Sequence, residues 1–274
     1  MNSAIDIKAA TLEQILSSIG RVAVAVSGGV DSLTLGVIAH RLLGHDCEVF
    51  HAVSPAVPPD ATQRVHALAI QENWRLTVVN AGEFNDARYM ANPVNRCFYC
   101  KTNLYSSMIG HTDKQLISGT NINDLGEYRP GLEAAKTHSV RHPYVEAGIT
   151  KDDLRQLARR LGLTDIAELP SSPCLASRVE TGIGIRADTL SLVDAAEKWV
   201  MHEISPHSVR CRVRKQGIVI ELDKASLSGL TPKHKDELTR KVGAMFAAIG
   251  MTSEVGFAPY RTGSAFIGIK HESL

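Results

Sequence analysis

The stretch "VSGGVDS", Val26 to Ser32, decides the fold. Just upstream, Arg21 to Val26 alternates Val and Ala and reads as a short buried strand. Just downstream, "SLTLGVIAHRLL" (Ser32 to Leu43) carries apolar residues at helical spacing. The order is therefore strand, glycine loop, helix. Gly28 and Gly29 let the backbone turn sharply and expose its N–H groups, and the helix N-terminus adds partial positive charge. Ser27 and Ser32 can donate hydrogen bonds to phosphate oxygens. The Walker pattern is absent, because no lysine follows to reach a terminal phosphate. Asp31 would repel phosphate unless a divalent cation lay between them, so it is expected to contact magnesium. A plain glycine turn capped by serine explains the two glycines but not the whole hexapeptide after a first strand.

Working outward, strand-like and helical runs alternate. "MNSAIDIKAATLEQILSSIG" is an amphipathic helix, "CEVFHAV" a strand, and "PPDATQRVHALAIQENW" a helix with Asp60 as its N-cap. "RLTVV" follows as a strand, "KTNLYSSMIG" as a helix, and "KQLISGT" as a strand running into a loop. "TKDDLRQLARRLGL" is a helix capped by Thr150, with acidic residues in its first turn. This rhythm predicts an α/β fold: a parallel sheet covered by helices, with ligands at the carboxyl ends of the strands. "VSGGVDS" and "SGTNINDLG" both lie at such ends. The rhythm breaks in "AELPSSPCLASRVETGIGI", which places a boundary near Ser171 to Ile185. The expected domains are residues 1–175 and a smaller α+β unit, 176–274. The latter holds a helix (Ala187 to Ile204), strands "HSVRCRVR" and "GIVIELD", a helix (Pro232 to Ile249) and a last strand, "SEVGFAP".

The 274 residues suffice for a substantial core, and Lys+Arg 30 against Asp+Glu 29 leaves no global basic field for nucleic acid. No apolar run approaches the roughly 18 residues of a membrane span, and the amino terminus lacks the layout of a secretory signal. Five cysteines, an odd number, make no disulfide framework and fit a cytosolic setting. Cys47 and Cys211 sit in strand patterns and serve packing. Cys97 and Cys100, in "NPVNRCFYCK", and Cys174, in "LPSSPCLASR", fall among loop residues. A C-x-x-C can be a redox pair, half a zinc site or part of an iron–sulfur site. With no second C-x-x-C, four-cysteine zinc is disfavoured, while three thiolates suit a [4Fe–4S] cluster with one iron open to sulfide.

"SGGVDS" matches the PP-loop of the ATP pyrophosphatase superfamily, whose adenine-nucleotide-hydrolase-like domain cradles the pyrophosphate released as ATP becomes AMP. Together with "NRCFYCK", "SGTNINDLGEYRPG" and "PSSPCLASR", in that order over nearly the whole chain, it resembles the LarE family. These are ATP-dependent sulfur transferases of nickel-pincer nucleotide cofactor synthesis. The resemblance implies adenylation of a carboxylate of pyridinium-3,5-biscarboxylic acid mononucleotide, then displacement of AMP by sulfur, with ATP, Mg²⁺ and sulfide or another sulfur donor required. Adenylation is chemically apt, since a carboxylate is a poor acyl donor and AMP a good leaving group. Cys174 matches the family's sulfur donor. Members with that cysteine alone give up its own sulfur; the presence of Cys97 and Cys100 resembles members that hold a cluster on three cysteines. The implied ATP-binding residues are Val26, Ser27, Gly28, Gly29, Val30, Asp31, Ser32, Gly119, Thr120, Asn121, Asp124 and Arg129. By residue chemistry alone Asp124 suits magnesium, nucleotide or an Asx turn, and Arg129 a phosphate or solvent.

Strand alternation in "HSVRCRVR" puts Val209, Cys211 and Val213 on one face and Arg210, Arg212 and Arg214 on the other. Arginines two apart stand roughly 7 Å from each other, suited to separate oxygens of one ligand or to a solvated face. The family resemblance favours Arg210 and Arg212 as substrate anchors, with Glu197, Ser177 and Arg178 beside them. A homo-oligomer is also expected, cytoplasmic by its unpaired thiols and, by its charge balance and hydropathy, without a nucleic-acid or membrane partner. A PP-loop tRNA thiolase would show a basic surface or zinc-ribbon cysteines. An ammonia-using synthetase would leave the three loop cysteines unexplained, and a nucleotide sensor would release no pyrophosphate.

Overall fold

The Val/Ala alternation gives β1 (Val22–Val26) one bulky and one small face, and each receives its own helices. The computed structural model describes residues 4–126, 129–252 and 254–267. Residues 1–3 of the expected first helix, Glu127 and Tyr128 of "GEYRPG" and Ser253 of the expected last strand lie outside them. Val22 and Val24 pack with Leu12 and Leu16 of helix Ala4–Ile19, Leu33 and Val37 of helix Val30–Leu43, and Leu154 of helix Lys151–Arg160. Ala23 packs with Leu104, Tyr105 and Met108 of helix Arg96–Ile109 and with Ala134 and Ala135 of helix Pro130–Thr137.

Three further strands, β2 (Cys47–Ala52), β3 (Leu76–Val79) and β4 (Gln115–Ser118), complete a parallel sheet in the order β3-β2-β1-β4. Strand order reverses between β1 and β4, the position where open α/β sheets bind ligands. The register sets Ala25 beside Ser118 and Val26 beside His51. The glycine loop after β1 and the "GTN" turn after β4 thus leave the sheet side by side. The α/β class with a parallel sheet and a smaller α+β part is what the sequence predicts.

The chain divides into two units, Met1–Glu83 with Cys97–Ser172, and Phe84–Arg96 with Pro173–Leu274. In the second, β5 (Val209–Arg214) pairs antiparallel with β6 (Gly217–Leu222), and β7 (Val255–Pro259) adds parallel to β6. Helix Ala187–Ile204 lies against β5, and helix Pro232–Ala247 against β7. The insert Phe84–Arg96 is sewn to this unit by Asn92, whose side-chain amide donates to Glu180 O at 2.9 Å and Ile183 O at 2.8 Å. Asn92 adopts a left-handed backbone (φ 53°) that turns the chain there.

Two local expectations need correction. Asp60 does not cap its helix: Pro59–Gln71 begins at a proline with Pro58 as N-cap, leaving Asp60 inside the first turn. Cys97 and Cys100 are helical and not in a loop, because Pro93 O accepts the Arg96 N–H at 3.0 Å and no breaker follows before Ile109. Thr150 does cap helix Lys151–Arg160, in a reciprocal capping box with Asp153. Among the described residues no helix is long and apolar enough to cross a membrane.

Candidate functional site

Helix Val30–Leu43 starts at Gly29, whose extended backbone (φ −91°, ψ 163°) carries no side-chain cap. The first-turn N–H groups therefore await an external acceptor. Val26 and Val30 are buried and offer only backbone to a ligand. Gly28 has φ 82°, and a Cβ there would stand 2.6 Å from Ala61 O, so only glycine fits. Ser32 is buried and braces the loop from inside. Its Oγ accepts the Ser27 N–H at 3.0 Å, reaches Gly29 O at 3.2 Å and lies 3.2 Å from Ser27 Oγ. These bonds set the Ser27 and Ser32 hydroxyls against each other within the loop.

Two residues without a sequence signal hold the loop from behind. Arg64 Nε donates to Gly28 O at 3.1 Å. His51, fully buried, has Nδ1 2.9 Å from Val26 O and Nε2 2.9 Å from Thr62 Oγ1. Burial lowers the His51 pKa, so the ring is neutral; Nδ1–H donates to the carbonyl and Nε2 accepts from Thr62.

The carboxylate of Asp31 already has a cation. Lys151 Nζ lies 2.7 Å from Oδ1 and 2.5 Å from Oδ2, and Asn121 Nδ2 donates to Oδ1 at 3.0 Å. Tyr144, buried, donates its hydroxyl to Asp31 O at 3.2 Å; burial, then the Asp31 charge, push its pKa well up. Lys151 opens the helix that Thr150 caps, and its N–H donates to Asn123 Oδ1 at 2.8 Å. Gly119 is pressed onto the same place, since a Cβ there would stand 2.9 Å from the Asp31 carbonyl carbon and from Ser32 N. Thr120 Oγ1 lies 3.2 Å from Ser118 Oγ, itself 2.9 Å from His142 Nδ1. Asp124 Oδ2 accepts the Asn121 N–H at 3.0 Å, and its Oδ1 pairs with Arg129 at 2.8 Å. Asp124 thus ties back the turn at Asn121, while the Asx turn is formed by Asn121, whose Oδ1 accepts the Asn123 N–H at 3.0 Å. The loop lacks a lysine in sequence, yet one arrives 120 residues further along the chain.

The second unit builds around Cys174, which is exposed. Arg178 is buried and holds the cysteine loop from within. One terminal nitrogen donates to Pro173 O at 2.6 Å, Cys174 O at 3.2 Å and Ser177 Oγ at 3.2 Å. Its other two nitrogens donate to the two oxygens of Glu197, both at 2.9 Å. Burial works against the Arg178 charge, but the Glu197 hydrogen bonds outweigh it and raise its pKa. Glu197 also accepts the Cys211 N–H at 2.9 Å, so helix, strand and cysteine loop share one carboxylate.

The arginines of β5 do not form one exposed row. Arg212 is buried: Nε donates to Glu221 at 2.8 Å, and the terminal nitrogens to Ser177 O at 3.1 Å and Arg261 O at 3.2 Å. It is a brace under Ser177, and the solvated-face alternative is corrected by its burial. Arg214 pairs with the other oxygen of Glu221 at 2.8 Å. Arg210 is half-buried, its guanidinium 5.5 Å from the Tyr260 ring, and burial followed by the nearby Arg178 charge lowers its pKa. Cys211 is buried and its thiol is pushed well up by burial; burial of Cys47 raises that thiol to about 12. Both are packing residues.

Cys97 and Cys100 lie one helical turn apart, half-exposed, in the first unit, while Cys174 belongs to the second. Among the described residues no group of three or more His, Cys, Asp or Glu is placed to hold a metal ion.

No protein-family model matches the chain. An uncharacterized protein of Synechocystis sp. is 34% identical over 221 residues, 78% of this chain and 81% of that protein. The pyridinium-3,5-bisthiocarboxylic acid mononucleotide synthase of Lactiplantibacillus plantarum is 29% identical over 225 residues, 80% of this chain and 81% of that one. An uncharacterized protein of Methanocaldococcus jannaschii is 25% identical over 225 residues. With the strand, glycine loop and helix in place at the β1/β4 reversal, the chain belongs to the LarE family of the PP-loop ATP pyrophosphatase superfamily.

Proposed function

We propose that this chain is an ATP-dependent sulfur transferase acting on pyridinium-3,5-biscarboxylic acid mononucleotide, in nickel-pincer nucleotide cofactor synthesis. A substrate carboxylate oxygen attacks the α-phosphorus of ATP and pyrophosphate leaves. A sulfur nucleophile then attacks the acyl carbon, AMP leaves with the C–O bond pair, and a thiocarboxylate remains. A second round converts the other carboxylate. The reading is carried by the uncapped helix start at Gly29 with Lys151 beside it, a cradle of N–H groups and positive charge suited to a leaving pyrophosphate. The name of the Lactiplantibacillus relative gives a product, the bisthiocarboxylic acid mononucleotide, that two such rounds on the biscarboxylate would make.

In this reading the backbone of Val26–Ser32 and of Gly119–Asn121 binds the phosphates, with Ser27 Oγ as a donor. Asp124 orients the Asn121 turn and Arg129. Asp31 would hold Mg²⁺, which when bound supplies charge neutralisation for the phosphates. Lys151 would then leave the carboxylate for a phosphate oxygen. In the second unit Arg210 anchors the pyridinium nucleotide, while Arg178, Glu197, Ser177 and Arg212 position the loop of Cys174.

Thiolate donors suit iron–sulfur chemistry, and Cys97, Cys100 and Cys174 would hold a [4Fe–4S] cluster that supplies, when bound, an iron open to sulfide. Alternatively, Cys174 gives up its own sulfur. The two are separated by anaerobic preparation with iron and sulfide quantified beside turnover. The cluster reading expects about four irons per chain, lost on Cys97→Ala, Cys100→Ala or Cys174→Ala but kept on Cys47→Ala. Full multiple turnover by the Cys97→Ala/Cys100→Ala protein in iron-free buffer would refute it. One sulfur per chain, with a Cys174 mass loss of roughly 34 Da for departed H₂S, would establish the sacrificial route. Absence of ATP-dependent pyrophosphate release with the biscarboxylate would refute the enzyme reading altogether.

A further inference from the structure

The bulkiest fully buried side chain among the described residues is a cation, Arg96, 1% exposed. None of its three guanidinium nitrogens has a hydrogen-bond partner among the described residues. Arginine cannot shed its charge to relieve this. Two other buried arginines of the same unit show what normally compensates such burial: Arg178 is forked onto Glu197, and Arg212 onto Glu221 and two carbonyls. Arg96 instead has the ring of Phe266 across its face, 4.0 Å from Cζ to the centroid. A ring face attracts a cation but accepts nothing from N–H groups that point outward in the guanidinium plane.

The surroundings are braced. Phe266 N–H donates to Gly263 O at 2.9 Å, and the flanking Ile267 N–H to Thr181 Oγ1 at 3.3 Å. Thr181 N–H returns to Ala265 O at 3.0 Å, and Gly182 N–H to Asn92 O at 2.9 Å. The guanidinium is thus covered on one face by a hydrogen-bonded segment, with its donor edges without a partner among the described residues. We infer that Arg96 is an oxyanion-binding residue, taking a carboxylate or phosphate group in the guanidinium plane as a bidentate, charge-assisted pair. The inference rests on burial and missing partners alone and does not depend on the sulfur-transfer reading. Arg96 directly precedes Cys97, so the bound anion would lie one residue along the chain from the C-x-x-C pair.

The test is thermal melting and calorimetric titration of the full chain with orthophosphate and, separately, pyridine-3,5-dicarboxylate, against chloride at matched ionic strength. One or both anions should raise Tm by roughly 5–10 °C at a hundredfold excess over Kd. Gain with phosphate alone assigns a phosphate site, and gain with the dicarboxylate alone a carboxylate site. Arg96→Met should lower the calorimetric stoichiometry by one anion per chain and reduce the gain accordingly. Arg96→Lys, which keeps the charge but not the fork, should weaken binding about tenfold or more and serves if the methionine variant does not fold. No anion-dependent gain in the wild-type protein, or an unchanged Kd in either folded variant, overturns the inference.

Discussion

Replacing Lys151 by Met separates a structural ion pair from a functional cation. The Lys151 side chain is 33% exposed and that of Asp31 29%, with the shortest contact 2.5 Å. At an effective dielectric constant of about 20, unit charges 4 Å apart attract by roughly 4 kcal/mol. Solvent access and side-chain entropy offset most of this, and partly exposed pairs contribute about 0–1 kcal/mol to stability. The Tm of Lys151→Met should therefore fall by no more than about 2–4 °C. A positioned cation facing charge that develops on a leaving pyrophosphate contributes far more, about 2.7–4 kcal/mol, or 10²–10³ in kcat. Lys151→Arg keeps the charge and should recover part of that loss. Pyrophosphate release under saturating ATP, Mg²⁺ and biscarboxylated nucleotide, beside calorimetric Tm, reads both quantities. A near-wild-type rate in Lys151→Met would refute the reasoning. So would a collapse of Tm that accounts for the lost rate.

Arg212→Ala should lower unfolding free energy by about 3–5 kcal/mol in a urea titration, because it leaves Glu221 buried and short of a partner. Arg210→Ala should keep the fold, leave ATP affinity unchanged and weaken the pyridinium nucleotide about tenfold or more; an equal loss of ATP affinity would count against its assignment. His51 titrates below its ordinary 6.5 in the folded protein because it is buried, so the unfolded chain binds more protons between the two values. Its contribution to stability is complete above about pH 6.5 and is lost as pH falls below that. His51→Gln should flatten this slope, and an unchanged pH dependence would show that other groups, such as His142, set it.

The parallel sheet, the glycine loop and the cap at Thr150 were legible in the sequence because each rests on residues close in the chain. Val/Ala alternation, paired glycines before a helical pattern, and Thr followed by Asp three positions later act through local backbone geometry. The helical state of Cys97 and Cys100 was misread, because proline and asparagine upstream look like a loop whether they end an element or start one. Arg210 and Arg212 have the same strand phase, yet only Arg212 is buried, because Glu221 on the paired strand and two carbonyls lie within its reach. The cation on Asp31 had no local signal at all. Lys151 stands 120 residues from Asp31, and it meets the loop only because the helix it opens packs against helix Val30–Leu43, whose first turn holds Asp31. Periodicity and turn chemistry report which backbone a segment adopts; the partner of a charge depends on which segments the fold brings together.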